Sequence, residues 1–341
     1  MKLYLSHESA LQFYRSRQPD RVAAGKRHFI PDSHIPSLKL AEAVWLQEKF
    51  GITMPVSAEV AKENNRRRSS VLTCPIQSPG LAQQGYFHLG KNLYVAPPEL
   101  ALAQVAGALV DARIAPNCEW KSETTAKRFA VIALAVLGSE LAASYVLNDE
   151  SEDGLEERAP ALNLKDLDAL LENSGPFHGK KALKQARHLM VCNAKSPAEI
   201  ELALFASLPM AFGGAGLPKP VLNKKVSVAY GSNTLTRDPD LLFEGSNVVL
   251  EYNGSRHEGE RADADDERRN ELIDKGFEIL VVNKGQLQDA NLLEHIFSTA
   301  AKKTGKNGRC SADYAKRRED VRAITFGLLG TACKESANIR I

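Results

Sequence analysis

The pattern of apolar positions predicts a mixed first half. Residues 37–50 place Leu38, Leu40, Ala41, Val44, Trp45 and Phe50 at broadly helical spacing, and Gly51 ends the run. Residues 71–76 and 86–95 read as strands, the second broken at Gly90, Lys91 and Asn92 as a hairpin requires. Helical patterns follow over 98–113 and 123–147. The apolar part of the latter is rich in alanine and interrupted by Gly138, Ser139 and Glu140, which predicts a buried helix, since a membrane span needs roughly 20 predominantly apolar residues. Residues 148–160 are acidic with few large apolar side chains and predict an exposed connection. Short helical patterns cover 164–172 and 179–191.

Beyond residue 195 the predicted order is helix (196–207), strands (226–230, 240–243 and 247–252), helix (262–275), strand (277–282) and helix (287–302). Glu244, Gly245, Ser246 and Asn247 supply a turn between the second and third strands. Three strands with short links predict an antiparallel meander, and the next helix crosses back to a fourth strand. The expected fold class is α/β, with a mixed α+β region over 1–194, an α/β layer over 195–303 and a basic extension over 304–341. That extension continues a basic stretch holding Lys302, Lys303, Lys306, Arg309, Lys316, Arg317 and Arg318.

Composition narrows the picture modestly. The 341 residues suffice for two domains, and 43% hydrophobic with 25% charged content describes an ordinary folded protein. A net charge of +2 does not indicate nucleic acid, so that case rests on local clusters. Five scattered cysteines without a CxxC pair argue against a disulfide framework or a zinc site and for a reducing compartment. The N-terminus is too polar for a secretory leader, so the expectation is a cytoplasmic protein with no membrane association.

The chemistry concentrates between Arg237 and Val282. Asp240 opens the apolar run Leu241, Leu242, Phe243; Glu251 closes the run Val248, Val249, Leu250. Two carboxylates on neighbouring strands can share a hard cation, although Arg237 to Asp240 also fits a turn signature. Asp238 lies two residues from Asp240 on the same strand face, as a fallback ligand. A carboxylate at Glu251, on a strand buried on both faces, is costly unless a metal or a cation such as Arg256 or Arg268 relieves it. Asn253 shares the face of Glu251 by period two, and with Gly254 it also forms an Asn-Gly turn signal. His257 follows that turn, placed either as a general base or as a solvated loop residue. Ser196, Pro197 and Glu199 form a capping-box signature, and Glu199 is also a candidate site acid. Asp265 and Arg268 sit three apart on one predicted helix. Basic clusters available to phosphates are Arg66, Arg67 and Arg68, then Lys219, Lys224 and Lys225, and the C-terminal stretch.

Taken together, Ser196, Glu199, Asp240, Glu251, Asn253, Gly254, His257, Asp265, Arg268 and Gly276, closed by an apolar strand, resemble the PD-(D/E)XK nuclease superfamily and its very-short-patch-repair-like branch. The resemblance covers residues 195–303. It implies a restriction-endonuclease-like αβββαβ core and hydrolysis of DNA phosphodiesters with magnesium or manganese held by Asp240 and Glu251. Asn253, His257 and Glu199 would assist, and Arg268, Lys224, Lys225 and Arg66 to Arg68 would contact nucleic acid. Asn253 departs from the superfamily, which carries lysine there, and favours the alternative of an inactive DNA-binding or antitoxin-like regulator. The first half resembles, more loosely, regions fused to such domains in abortive-infection antitoxin-like bacterial proteins, which implies a role in defence or repair and a protein partner.

Overall fold

The computed structural model describes residues 2–16, 26–111, 123–148, 150–151, 154–230, 233–254, 260–306 and 313–330. The chain is a mixed α/β protein that divides into two compact units, the first ending at His188 and the second beginning at Leu189. That division lies six residues before the expected one.

In the first unit, strand β1 (Leu3–Leu5) leads directly into helix α1 (His7–Arg15), followed by α2 (Leu40–Phe50), β2 (Val56–Ser57) and β3 (Leu72–Thr73). The expected hairpin forms from β4 (Phe87–Gly90) and β5 (Leu93–Val95), with Lys91 and Asn92 both in the left-handed region that its tight turn needs. β5 also pairs with β1 in parallel, so the N-terminal strand completes this sheet. Helix α3 (Pro98–Val110) is buried on nearly every side because its sequence, PELALAQVAGALV, has almost no polar face. It packs on α1 and on α4 (Glu123–Leu141).

The helix expected to reach residue 147 stops at Leu141. Tyr145, Val146 and Leu147 instead form β6 (Tyr145–Leu147), paired with β7 (Leu155–Glu157). An aromatic followed by a β-branched residue favours strand once the alanine-rich run ends. Part of the expected acidic connection is therefore a strand. Helices α5 (Leu164–Asn173) and α6 (Lys180–Leu189) close the unit as expected.

The second unit holds α7 (Pro197–Ser207), β8 (Val221–Leu222), β9 (Val226–Tyr230), β10 (Asn233–Arg237), β11 (Leu241–Phe243) and β12 (Val248–Asn253). Then come α8 (Glu260–Asp274), β13 (Glu278–Asn283), α9 (Lys284–Gln288), α10 (Ala290–Lys303) and α11 (Tyr314–Leu329). The central sheet has the order β13-β12-β11-β8, with β8, β11 and β12 antiparallel and β13 parallel to β12. Its interior strand β12 carries the unbroken apolar run Val248 to Leu250, fully buried, as a strand with neighbours on both sides should.

One expectation fails here. Residues 226–230 were expected to begin the meander, but β9 pairs with β10 in a separate hairpin, and the two-residue strand β8 joins the sheet in its place. β9 (VSVAY) is largely apolar and β10 (NTLTR) largely polar, and their register sets Val228 opposite Leu235, the one large apolar residue of β10. The turn between β11 and β12 uses Gly245 at φ 82° and Asn247 at φ 53°. Helix α11, within the expected basic extension, packs on α7 and belongs to the second unit. Its Arg317 and Arg318 pair with Asp313 and Glu294, so part of the basic stretch is internally compensated. No helix among the described residues is long and apolar enough to cross a membrane.

Candidate active site

The register of β11 on β12 sets Leu241 opposite Leu250, and one step further brings Asp240 opposite Glu251. Residues directly opposed on antiparallel strands point to the same face with Cβ atoms roughly 5 Å apart. The two strands then lock the acids through the backbone. Asp240 N–H donates to Glu251 Oε1 at 3.3 Å, and Tyr252 N–H donates to Asp240 Oδ2 at 2.8 Å. Glu251, 2% exposed, also accepts from Arg268 of α8 at 2.9 Å. Arg268 is thus the cationic partner anticipated from sequence, and its described role is to hold Glu251.

Glu199 reaches the same neighbourhood from α7. Ser196 caps the helix by accepting from Glu199 N–H at 3.2 Å, as the capping signature predicted. The Glu199 carboxylate accepts from Ser196 Oγ at 2.9 Å, Lys195 N–H at 2.9 Å and Asn223 Nδ2 at 2.6 Å. Lys195 and Asn223 were not candidates from sequence. Asn223 stands at φ 49° just after β8, and an asparagine in the left-handed region is the one local signal that marks it.

The electrostatics of the three acids agree in direction. Burial raises the Asp240 carboxyl well above the ordinary carboxylate range, and the nearby charges of Glu251 and then Glu199 push it further. Burial also raises Glu251, against the opposing pull of Arg268, and raises Glu199, against its three hydrogen-bond donors. Three carboxyls drawn together out of solvent favour protons or a further cation, and Arg268, Arg269 and Lys195 already offset part of their charge.

Among the described residues no group of three or more His, Cys, Asp or Glu side chains is arranged as a metal centre. The donor chemistry of Asp240 and Glu251 still fits a hard cation, because magnesium takes oxygen ligands and commonly uses only one or two protein carboxylates. Asp238 is not available in the same way, since the Lys195 ammonium pairs with it. Asn253 lies half-buried at the end of β12, opposite Asn283 in the parallel register. His257 lies outside the described residues, and Asp265 falls on α8 without a described side chain.

The basic candidates separate. Lys224 pairs with Glu244, whereas Lys225 is exposed. Arg66 pairs with Glu63 at 3.0 Å, and Arg67 donates to the carbonyls of Asn64 and Arg66. These three arginines belong to the first unit. No family model matches the chain, and no curated protein or solved structure matches it.

Proposed function

We propose that the second unit is a metal-dependent DNA endonuclease domain. The observation that carries this reading is the pair of half-buried Asp240 and buried Glu251, fixed opposite each other on β11 and β12 with Glu199 close enough to raise Asp240. The order α7, β8, β11, β12, α8, β13, with an antiparallel trio and a parallel fourth strand, supports a restriction-endonuclease-like core. Asp240 and Glu251 would hold magnesium or manganese, which would supply an activated water and neutralise charge on the scissile phosphate. Arg268 orients Glu251, and the Glu199 carboxylate adds negative potential that favours cation entry. Asn253, on the Glu251 face, donates a neutral hydrogen bond where a lysine would bring a charge.

The test is plasmid cleavage with magnesium or manganese, comparing the wild type with Asp240→Asn and Glu251→Gln. Metal-dependent nicking or linearisation by the wild type, reduced at least about a hundredfold in both variants, is the expected result. Cutting that survives both substitutions sinks the assignment.

A second reading is a DNA-binding regulator without cleavage. Asn253 at the lysine position and the Arg268 partnership of Glu251 favour it. Metal-independent, salt-sensitive DNA binding with no cleavage under any divalent ion would establish it.

A further inference from the structure

The first unit contains a cavity of about 900 Å³, bounded entirely by its own residues. That volume lies in the upper part of the range for small-molecule sites. Its lining residues Glu59 and Gln104 belong to a buried polar cluster. Glu59, 3% exposed, accepts hydrogen bonds from the Tyr86 hydroxyl and from Gln104 Nε2, and Gln104 Oε1 in turn accepts from His7 N–H at 3.1 Å. These polar groups satisfy one another in the interior, which holds Glu59 and Gln104 in fixed positions.

His7 adopts φ 50° at the first residue of α1, an uncommon conformation for a residue with a Cβ, and it lines the cavity. Backbone strain of this kind persists where surrounding contacts over-determine it, and it clusters at ligand sites. The Gln104 acceptor and the Ser6 hydroxyl beside the His7 ring are those contacts.

The walls divide by chemistry. Thr73 and Ser78 contribute hydroxyls able to donate and accept, while Ser9 Oγ accepts from Ser57 N–H and Ser57 Oγ donates to the Glu8 carboxylate on the same wall. Phe177, Met54, Pro55, Ile76 and Leu81 contribute apolar surface. Arg66 and Arg68 also line the cavity. Arg66 is tied to Glu63, but the Arg68 guanidinium has no ion-pair or hydrogen-bond partner among the described residues. An unengaged planar fork of donors suits a phosphate, hydroxyls suit a sugar and the edge of a base, and an aromatic with prolines suits a ring face.

We propose that this cavity binds a nucleoside phosphate, with the phosphate on Arg68 and the nucleoside among the hydroxyl and apolar walls. The site lies wholly in the first unit and does not rest on the nuclease reading.

The experiment is isothermal titration calorimetry on the full chain with chelator present, so that no divalent ion bridges a nucleotide to the acids of the second unit. The probes are the 5′-monophosphates of adenosine, guanosine, cytidine and uridine, the four parent nucleosides, and inorganic phosphate. Saturable binding of at least one monophosphate is expected, with its nucleoside and inorganic phosphate each at least about tenfold weaker. Arg68→Ala, a surface change, should weaken the monophosphate by a similar factor, and Ala108→Trp, which fills the cavity from a half-buried position, should abolish binding. Asp240→Asn should leave the affinity unchanged. The proposal is overturned if no monophosphate binds at millimolar concentration, if Arg68→Ala binds as well as the wild type, or if Asp240→Asn removes the binding.

Discussion

At the scale of single residues, Asp240 is where protonation and function meet. Its carboxyl, with those of Glu251 and Glu199, is raised by burial, so the folded chain holds these protons more tightly than the unfolded chain does. A raised carboxyl contributes its stability in full below its unfolded value and loses it as pH rises through the folded value. The metal-free protein should therefore lose stability as pH rises from the ordinary carboxylate range towards neutrality. Glu59 acts in the same direction in the first unit, because burial lifts its carboxyl to about 7. A thermal melt of the wild type alone would mix the two sources. Asp240→Asn separates them: the uncharged isostere keeps an acceptor for Tyr252 N–H and removes the buried charge, so its melting temperature should exceed that of the wild type at neutral pH and match it near pH 4. Magnesium should raise the wild-type melting temperature and not that of the variant. Parallel pH profiles for the two proteins would refute the electrostatic account of Asp240.

At the scale of elements, α7 shows how one helix serves packing and site together. It is buried on nearly all sides, so its stability comes chiefly from tertiary contacts, while Ser196 fixes both its start and the Glu199 carboxyl. Ser196→Ala should cost about 1 kcal/mol through the lost cap, a fall of about 2–4 °C in the second unit's melting temperature. Calorimetric melts would check it, and no change would mean that the packing of α7 holds its start without the cap. The Ser196 signature was legible because a cap is a local device, fixed by four consecutive residues. Glu251 was legible for a related reason: a carboxylate after three apolar residues marks a strand position that needs a partner, and the turn from Glu244 to Asn247 sets the register that puts Asp240 opposite. Asn223 was not legible, since its place beside Glu199 depends on where β8 joins the sheet. A strand of two residues has no periodicity to read, whereas the largely apolar run of residues 226–230 drew the assignment away from it. The polar start of α1 likewise hid a helix whose buried residues, Ala10, Leu11, Phe13 and Tyr14, became clear only with β1 in its sheet.

At the scale of the whole molecule, the chemistry is partitioned. Glu199, Asp240, Glu251 and Arg268, with the supporting Lys195 and Asn223, all fall after residue 189, and each element that positions them belongs to the second unit. The hydrophobic core of that unit is also its own, drawn from α7, β11, β12, α10 and α11. A segment with its own core and close to 150 residues long is of the size that folds independently. A fragment beginning at Leu189 should therefore give a cooperative melt and keep the magnesium-dependent rise in melting temperature. A fragment ending at His188 should show no such response, since Asp240 and Glu251 are absent from it. Circular dichroism melts of the two fragments, with magnesium and with chelator, measure both. If the fragment from Leu189 folds but no longer responds to magnesium, residues of the first unit complete the site, and the assignment of cation binding to Asp240 and Glu251 alone is wrong.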